Sequence, residues 1–378
     1  MATVIVSVIS DLVTDQRVHR TAQTLHEMGF DVLLTGTKKK NSLPLNNRSY
    51  PTKRFNMVFQ KGFLFYAEWN TRLFFFLLSR PADILLANDL DTLPANFLVS
   101  KIRSRIQVYD THEFFTGTAE LYNRSFVKKT WQRIENFFFP RVKYIYTVNK
   151  SIAALYKDKY GIEPVVIRNL PYKKAAMQQT AGFDLPAGKK ILLVQGTGLN
   201  ENRGLEELVS AVALLPETFM LVIAGGGLII PALKNSVAKQ QLQERILFTG
   251  VLDPVALRQL TPLAWCGFSL DKPININQQA SLPNKLFDYI AAGIPVIASD
   301  IMEVAAIVRQ YGIGTILPQV SPEAIATAVL ELDANETNYQ LYKSNTAVAY
   351  ETLNWENEQQ ILRSLFIKIT AENNISIG

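Results

Sequence analysis

The sequence predicts an α/β protein built from two doubly wound domains, each with a mostly parallel sheet covered by helices on both faces. Three observations support this prediction. Short apolar runs alternate with segments of helical period along almost the whole chain, as expected for strands buried on both faces. One aperiodic stretch, 169–190, interrupts the alternation near the middle. The length of 378 residues suits two or three domains.

The composition fits a globular protein with large cores, because 48% of the residues are hydrophobic and 19% are charged. Cys266 is the single cysteine, which excludes an internal disulfide and fits a reducing compartment. The first ten residues are apolar but lack the basic start of a signal peptide. The aromatic run at 73–79 is much shorter than the ~20 residues of a membrane span. We therefore expect a cytoplasmic protein without a transmembrane segment.

The first half alternates six predicted strands with helices. The strands are short apolar runs, at 3–9, 31–35, 83–87, 107–110, 144–148 and 165–168. The helices have apolar residues three and four positions apart, at 16–28, 65–78, 93–103, 126–138 and 152–160. We predict that this half forms the first domain, residues 1–170.

The pattern restarts after a connection at 171–190, which is rich in Pro, Gly, Gln and Lys. Six further strands are predicted, at 191–196, 219–224, 246–249, 267–270, 296–298 and 314–317. Helices follow these strands and complete a second domain at 191–355, and a closing helix is predicted at 356–378. Ligands of such sheets bind at the carboxyl ends of the strands. The loops at those ends are therefore the first candidates for function.

Charge is distributed unevenly between the two halves. Residues 1–170 carry 24 Lys and Arg against 14 Asp and Glu, a net charge of +10, and the remainder carries −4, which gives the +6 of the whole chain. A field of this kind biases the choice of partner. Anionic lipid, a phosphate-bearing acceptor and nucleic acid are all compatible with it.

The loop after the first strand of the second domain, "QGTGLNENRGLEEL", is a candidate anion-binding loop. Gly196 and Gly198 relax the turn, and Arg203 precedes Gly204 near a helix start. A helix N-terminus carries unpaired N–H groups and a partial positive charge. Arginine adds a planar fork of donors that suits phosphate. An ordinary strand-to-helix loop with a solvated arginine fits the same residues.

Two more strand ends of this domain contain glycine. Gly225 lies in "AGGG" at 224–227, and Gly250 lies in "FTGVLD" at 248–253. Glycine permits the backbone to approach a base or a ribose closely. Tight turns that bind nothing explain both sequences as well.

The stretch "SLPNKLFDYIAAGIPVIASD" at 281–300 predicts a turn, a helix and a buried strand. Ser281 is expected to cap the helix, and a proline two residues later is tolerated in a first turn. The N–H groups near Ser281 and Leu282 would then point at an anion, with Asn284 beside them and Lys285 reaching the anion as a point charge. Asp288 can accept a hydroxyl pair such as a ribose diol. Lys285 also fits a solvated surface lysine.

A second candidate group lies in the first domain. "VYDTHEFF" places His112 and Glu113 just beyond a buried strand, and "SDLVTDQRVHR" places Asp15 and Arg17 at the first helix. Glu113, Asp15 and Arg17 are candidates for binding an acceptor or a sugar. A half-buried structural histidine is the alternative for His112, and helix capping is the alternative for the first-helix residues.

"NDLDT" at 88–92 contains Asp89 and Asp91 in a D-x-D arrangement, which can hold a divalent metal under a diphosphate. The stretch lies outside the domain that carries the anion-binding loops. We therefore predict no metal site, and expect acceptor binding or helix capping there.

Two stretches combine aromatic and basic residues, at 61–80 and 124–143. Helices of this composition can lie in a membrane interface, where each basic residue contributes about 1 kcal/mol on anionic lipid. The alternative is that the aromatic rings pack on the sheet and the cations are solvated. We expect the aromatic rings to be partly buried, and the charge of the first domain favours peripheral contact with the inner face of a membrane. No nucleic-acid-binding module is recognisable, and we expect no nucleic-acid partner.

Together, these motifs resemble the GT-B-fold glycosyltransferases, specifically the retaining enzymes of family 4. "NKLFDYIAAGIPVIASD" is similar to that family's E-A-x-A-x-G-x-P-V-I-A segment, with Asp288 in place of the ribose-binding glutamate. "GTGLNENRGLEELVSA" is similar to G-R-L-x-x-x-K-G-x-x-x-L-x-x-A, with Arg203 in place of the diphosphate-binding lysine. The chain departs from the family at Gly198, where a basic residue is usual, and at Ala280, where a glutamate is usual.

The resemblance implies two facing Rossmann-like domains with a central cleft, and a C-terminal helix that crosses back to the first domain. It implies a retaining transfer of sugar from a UDP- or GDP-sugar to a cell-envelope glycan or lipid-linked acceptor, without a cofactor or metal. Arg203 and Lys285 would stabilise the leaving diphosphate, and His112 would orient the sugar. A sugar-nucleotide epimerase and a catalytically inactive binding protein of the same fold are the alternatives, and Gly198 and Ala280 favour the second.

Overall fold

The computed structural model describes residues 1–377 except 14, 39, 41, 46, 119–120, 122–123 and 174–181. The chain divides into two compact units. The first comprises Met1–Asn169 and Glu358–Gly378, and the second comprises Leu170–Asn357. Among the described residues, no helix is both long and apolar enough to cross a membrane.

The first unit contains a seven-stranded parallel sheet. Its strands are β1 (Thr3–Asp11), β2 (Asp31–Lys38), β3 (Thr52–Asn56), β4 (Ile84–Asn88), β5 (Ile106–Thr111), β6 (Tyr144–Thr147) and β7 (Val165–Val166). They are arranged in the order β3-β2-β1-β4-β5-β6-β7. Between them lie α1 (Gln16–Glu27), α2 (Gly62–Leu78), α3 (Leu93–Ile102), α4 (Ser125–Phe138) and α5 (Lys150–Tyr160).

Helix α2 shows why these segments become helices against a sheet. Its residues Trp69, Leu73 and Leu77 are spaced four apart and are fully buried. They belong to one apolar cluster with Ile5 of β1 and Leu85 of β4. Burial of such a side chain contributes roughly 1.5–3 kcal/mol, so this stripe fixes α2 over the centre of the sheet.

The second unit contains a six-stranded parallel sheet. Its strands are β8 (Lys190–Gly196), β9 (Phe219–Gly225), β10 (Ile246–Gly250), β11 (Cys266–Ser269), β12 (Val296–Ser299) and β13 (Gly314–Leu317). They are arranged in the order β10-β9-β8-β11-β12-β13. The helices are α6 (Leu205–Val212), α7 (Ile230–Lys239), α8 (Pro254–Leu260), α9 (Ile276–Gln279), α10 (Asn284–Ala292), α11 (Met302–Tyr311), α12 (Pro322–Ala334) and α13 (Glu336–Thr352). The last helix of the chain is α14 (Trp355–Glu372), and its residues from Glu358 onward belong to the first unit.

This second sheet is covered on both faces. Leu192 and Val194 of β8 belong to one apolar cluster, whereas Ile191 and Leu193 belong to another. Successive side chains of a strand point to opposite faces. Strand β8 therefore separates two cores, and the predicted doubly wound α/β architecture is confirmed.

One strand was not predicted from the sequence. Strand β3 reads "TKRFN", and most of its residues are exposed or half-buried. It pairs with β2 on one side and lies at the edge of the sheet. An edge strand needs no continuous apolar run, so its sequence gives no clear strand signal.

Both sheets change direction at the same place in their strand order. The first strand of each unit lies beside the fourth, β1 beside β4 and β8 beside β11. The connections from these two strands diverge, which leaves a crevice at their carboxyl ends. We call these places the first and second switch points, and the polar clusters described below lie there.

Candidate functional site

Two cations meet one buried carboxylate at the second switch point. Nη1 of Arg203 lies 2.8 Å from Oδ1 of Asp271, and Nζ of Lys285 lies 3.6 Å from Oδ2 of the same residue. Arg203 precedes α6, Asp271 follows β11, and Lys285 belongs to the first turn of α10. Asp271 is 1% exposed. The cluster therefore holds two positive charges against one negative charge.

The position of Arg203 follows from the glycine beside it. Gly204 has a φ of 71°, and a Cβ atom there would lie 2.6 Å from the carbonyl oxygen of Leu270. Only glycine adopts this conformation at so close a contact without strain. Helix α6 therefore starts directly against the end of β11, and Arg203 reaches Asp271 one residue beyond Leu270.

The position of Lys285 follows from the tyrosine one turn later. The hydroxyl of Tyr289 donates to the strand carbonyls of Leu193 and Phe268, at 3.3 Å and 3.2 Å. Its ring lies against Gly267, where a Cβ atom would be 2.5 Å from the ring. Residues four apart share a helix face. Tyr289 thus fixes α10 on the sheet and directs Lys285 toward its carboxyl edge.

Burial lowers the pKa of Lys285, and the nearby positive charge of Arg203 lowers it further, while Asp271 acts in the opposite direction. The alternative of a solvated surface lysine is wrong for Lys285, which is 8% exposed and lies beside Asp271. The acidic member, Asp271, was missed from the sequence, although its place directly after a buried strand was a usable signal.

A second polar chain supports Asp288, the predicted ribose ligand. Nε2 of Gln195 donates to Oδ2 of Asp288 at 2.9 Å, and Oε1 of Gln195 accepts from the hydroxyl of Thr261 at 3.0 Å. Gln195 and Thr261 are buried, whereas Asp288 is half-buried. The carboxylate is therefore held from behind.

The predicted cap of α10 is wrong. The helix begins at Asn284 with Pro283 as the preceding residue, and no side chain caps it. The N–H of Ser281 donates to the carbonyl of Gln278 at 3.2 Å, so it does not point at an anion. Leu282 packs against an apolar cluster of the second unit. The proline takes the place that a capping serine would have, because its φ of −71° leads into the helix.

The predicted nucleotide-binding glycines serve different purposes. A Cβ atom on Gly225 would lie 1.8 Å from the carbonyl oxygen of Gly196. These two glycines therefore let the ends of β8 and β9 approach each other, whatever they bind. Gly198 is exposed with no atom within 4 Å of its Cβ position, and Gly250 is exposed with a φ of 73°. The last two remain open to a ligand.

The first switch point holds a chain of alternating charges. Arg17 donates to both oxygens of Asp110, at 2.9 Å and 2.7 Å. Nε2 of His112 lies 3.1 Å from Oδ2 of Asp110, and Nδ1 of His112 lies 3.0 Å from Oδ2 of Asp89. The chain runs from α1 through β5 to the loop after β4. Two cations and two carboxylates thus alternate along it.

Burial opposes charge on His112, but the carboxylates of Asp89 and Asp110 raise its pKa well above the ordinary value. The pKa of Asp110 is lowered, because Arg17 and His112 outweigh its burial. The pKa of neighbouring Asp91 is raised well above its ordinary value by burial and by the charge of Asp89. Asp91 is therefore protonated more readily than an ordinary aspartate.

The predicted acceptor role of Arg17 does not fit this arrangement. Arg17 is 4% exposed, and besides Asp110 it donates to the carbonyl of Ile167 at 2.8 Å. Asp15 caps α1, since its side chain accepts from the N–H of Val18 at 3.1 Å. Glu113 is half-buried, and its carbonyl accepts from the hydroxyl of Thr111. Both ring nitrogens of His112 are paired with carboxylates. His112 would therefore orient the sugar indirectly and not through a ring nitrogen.

Two models of known protein families match the chain. Residues 15–170 match Glycosyltransferase Family 4, and residues 189–335 match Glycosyl transferases group 1. Together these segments cover most of both units. The chain belongs to the family 4-like glycosyltransferases of GT-B fold, and it is a glycosyltransferase. A search of curated proteins finds no match.

Solved structures show the same fold at low sequence identity. Sucrose-phosphate synthase from Thermosynechococcus elongatus is 15% identical with a TM-score of 0.81, covering 98% of this chain and 100% of its own. HepE of Anabaena, solved with UDP and glucose, is 15% identical with a TM-score of 0.73, covering 97% and 99%. WaaG, a glycosyltransferase of lipopolysaccharide biosynthesis, is 13% identical with a TM-score of 0.70, covering 97% and 99%.

Proposed function

We propose that this glycosyltransferase uses a nucleoside-diphosphate sugar, whose diphosphate binds Arg203 and Lys285 at the second switch point. The observation that carries the proposal is the excess of one positive charge over Asp271 in a partly buried cluster. The positive charge of such a site is not fully balanced until an anion binds. A diphosphate adds the negative charge that is missing, and arginine and lysine are both established phosphate-binding side chains.

Asp271 gives this site its catalytic value. It holds both cations in place before the substrate arrives, so they need no reorganisation when negative charge develops on the leaving diphosphate. The burial of Lys285 and Asp271 strengthens their interaction relative to water. Lys285 and Arg203 supply the charge that a divalent metal supplies elsewhere, and transfer accordingly requires no metal.

Asp288 binds the ribose diol of the nucleotide, with Gln195 and Thr261 holding it from behind. A uridine nucleotide is the first to test, because the similar HepE structure contains UDP and glucose, and a guanosine nucleotide is the second. The match to Glycosyltransferase Family 4 supports transfer with retention of the anomeric configuration.

The acceptor is a cell-envelope glycan or a lipid-linked sugar at the inner face of the membrane, which the similarity to WaaG supports. An apolar patch on the first unit favours a lipid. Phe63 of α2 and Phe126 of α4 are 79% and 81% exposed. The helices meet where the rings of Tyr66 and Trp131 lie 5.2 Å apart. The first turns of both helices contain no acidic residue, and exposed cations beside them are Lys61, Arg124 and Lys129.

Thermal stabilisation by nucleotides tests the donor site. A nucleoside diphosphate at about 100 times its dissociation constant should add about 2.7 kcal/mol to the stability of the second unit. Lys285→Ala should reduce this gain, whereas Lys239→Ala, which changes an exposed lysine of α7, should leave it unchanged. No stabilisation by UDP, GDP or ADP would contradict the donor assignment.

Sedimentation with vesicles tests the apolar patch. We expect binding to vesicles that contain phosphatidylserine and weaker binding to phosphatidylcholine alone. Replacing both Phe63 and Phe126 by Ser should weaken binding. Phe75→Ser is the matched control, because Phe75 is an exposed phenylalanine on α2 three turns farther along. Equal loss in the control and the double variant would contradict the patch.

A further inference from the structure

Asp89 lies at the exposed end of the charge chain at the first switch point. Its Oδ1 accepts from the backbone N–H of His112 at 2.9 Å, and its Oδ2 lies 3.0 Å from Nδ1 of the same residue. The side chain of Asp89 is 22% exposed, whereas that of Asp110 is 0% exposed. Each carboxylate oxygen has a second lone pair. His112 thus contacts both oxygens of the Asp89 carboxylate and leaves their outer lone pairs accessible.

Asp89 and the groups behind it form a rigid set that is neutral as a whole. The side chain of Arg17 is 5% exposed and grips Asp110 with two hydrogen bonds. Asp110 in turn fixes the orientation of the His112 ring. Two cations balance the two carboxylates along this chain. Because the cluster has no charge left to attract an anion, it is suited to a neutral polar ligand and differs in this from the second switch point.

A buried oxygen beside the chain lacks a partner. Oδ1 of Asp91 has no hydrogen-bond partner among the described residues, and Asp91 is 6% exposed. The neighbours that act on it electrostatically are Asp89, His112 and Glu113. Buried polar atoms are almost always hydrogen-bonded to protein or water. An unpaired oxygen in this position can accept a hydrogen bond from a hydroxyl group outside the chain, directly or through water.

We propose that Asp89 is a sugar-binding carboxylate, which accepts hydrogen bonds from hydroxyl groups of a substrate, and that His112, Asp110 and Arg17 are its positioning residues. The proposal rests on the proposed glycosyl transfer and assigns to Asp89 the contact that the sequence had predicted for His112. The ring of His112 then acts from behind, as a fixed cation that keeps the carboxylate in place. The backbone of Asp89 is consistent with this, since a φ of 62° is uncommon for a residue other than glycine and such conformations occur often at functional sites.

Two substrates carry hydroxyl groups that could bind Asp89, the sugar of the donor and the sugar of the acceptor. Steady-state kinetics distinguishes between them. Asp89→Asn removes the negative charge and one acceptor oxygen, and should raise the KM of one substrate by about 10- to 100-fold. A rise for the nucleotide sugar assigns the site to the donor, and a rise for the other substrate assigns it to the acceptor. Unchanged KM values for both would overturn the proposal.

Asp83→Asn is the matched control. Asp83 and Asp89 flank the same strand, β4, but Asp83 lies at its amino end, where it accepts from the N–H of Thr3 at 2.9 Å. An asparagine keeps this acceptor, so neither KM should change. If Asp89→Asn does not fold, His112→Gln serves as the second variant, and it should raise the KM of the same substrate. An unchanged KM in a folded His112→Gln protein would also overturn the proposal.

A magnetic-resonance titration of the histidines separates positioning from a merely structural role. The chain has three histidines, so His19→Gln and His26→Gln assign the signal of His112. We expect His112 to remain doubly protonated through neutral pH, and its midpoint to fall in Asp89→Asn. Saturation with the substrate identified by kinetics should shift the His112 signal in wild type. A His112 signal that does not shift on saturation with this substrate would overturn the proposal.

A nucleoside diphosphate without sugar distinguishes a failure of the proposed donor site from a failure of the proposal for Asp89. It should stabilise Asp89→Asn and wild type equally, because its site lies in the second unit. A wild-type protein that no nucleoside diphosphate stabilises would count against the proposed donor site. Normal stabilisation together with unchanged KM values in Asp89→Asn would count against Asp89 alone.

Discussion

The two switch points share one topology and differ in their charges. At the first, Arg17 and His112 face two carboxylates, and every charge has a partner of opposite sign. At the second, Arg203 and Lys285 share Asp271, and one positive charge remains in excess. The same strand order thus presents a balanced cluster in one unit and an unbalanced one in the other. The difference indicates that the fold fixes where a ligand binds, whereas the residues after each strand fix its chemistry.

The first way to test this comparison is to remove the central carboxylate of each cluster. Asp110→Ala leaves Arg17 buried without its partner, and breaking a buried ion pair from one side costs about 3–5 kcal/mol. Asp271→Ala should cost less, because the side chain of Arg203 is 32% exposed and can be solvated. Denaturant unfolding monitored separately for each unit measures both effects.

An added anion sharpens this test. Pyrophosphate should restore part of the stability of Asp271→Ala, because it can replace the missing negative charge between Arg203 and Lys285. It should restore none in Asp110→Ala, where Arg17 is enclosed. Recovery of both variants, or of neither, would show that the two clusters do not differ in their access to anions.

The second test concerns the carboxyl ends of β8 and β9 in the second unit. Gly225→Ala should destabilise the second unit by about 3 kcal/mol or more, because the new Cβ atom would lie 1.8 Å from the carbonyl oxygen of Gly196. Gly198→Ala should change stability by less than about 0.5 kcal/mol, since its Cβ position is open. Thermal unfolding compares the two. A mild effect of Gly225→Ala would show that β8 and β9 can separate at this edge.

The sequence was sufficient for the architecture because the strands and helices carry local periodic signals. The two sheets and their alternation with helices followed from such signals, whereas the family followed from the resemblance of two motifs to its known segments. Edge strand β3 was missed because its residues are largely polar and half-exposed. The start of α10 was misplaced because Ser281 and Pro283 are both acceptable at a helix N-terminus, and only tertiary contacts decide between them.

The site was predicted in outline, with Arg203 and Lys285 in one cluster, but their partner was not. Asp271 is 68 residues from Arg203 along the chain, and no local pattern links residues so far apart. The same holds for Arg17 and Asp110, which are 93 residues apart. Local motifs identify which residues can carry charge. The pairing of those charges is a property of the folded sheet.

The third test uses pH to distinguish the clusters. The pKa of His112 is raised by its two carboxylates, so its contribution to stability is full below about pH 6.5 and is lost as the pH rises through the folded-state pKa. Each unit of upward shift corresponds to about 1.4 kcal/mol. The pKa of Lys285 is lowered, so its burial cost falls as the pH rises toward about 10.4. The first unit should therefore weaken above pH 6.5, whereas the second should strengthen at alkaline pH.

Urea unfolding of wild type and His112→Gln between pH 6 and 9 checks this prediction. The difference in the free energy of unfolding between the two proteins isolates the contribution of His112 from that of the groups around it, which are Asp89, Asp91, Asp110 and Glu113. We expect the difference to shrink as the pH rises. A constant difference would mean that His112 does not change its charge on unfolding in this range.

The smallest expected effect concerns the residues that hold Asp288 at the second switch point. It distinguishes a residue that only stabilises the fold from one that also positions Asp288 for binding. Gln195→Leu breaks the hydrogen bonds to both Thr261 and Asp288, and should cost about 1–3 kcal/mol of stability. Thr261→Val removes the hydroxyl that donates to Gln195 and to the carbonyl of Leu257, and it leaves the bond from Gln195 to Asp288 intact. If Asp288 binds ribose, Gln195→Leu should raise the KM for the nucleotide sugar by several-fold, because the carboxylate loses a hydrogen bond that orients it. Thr261→Val should lower stability without raising that KM. Equal KM values in both variants would show that Asp288 needs no support from Gln195, and that the chain through Thr261 serves only the fold.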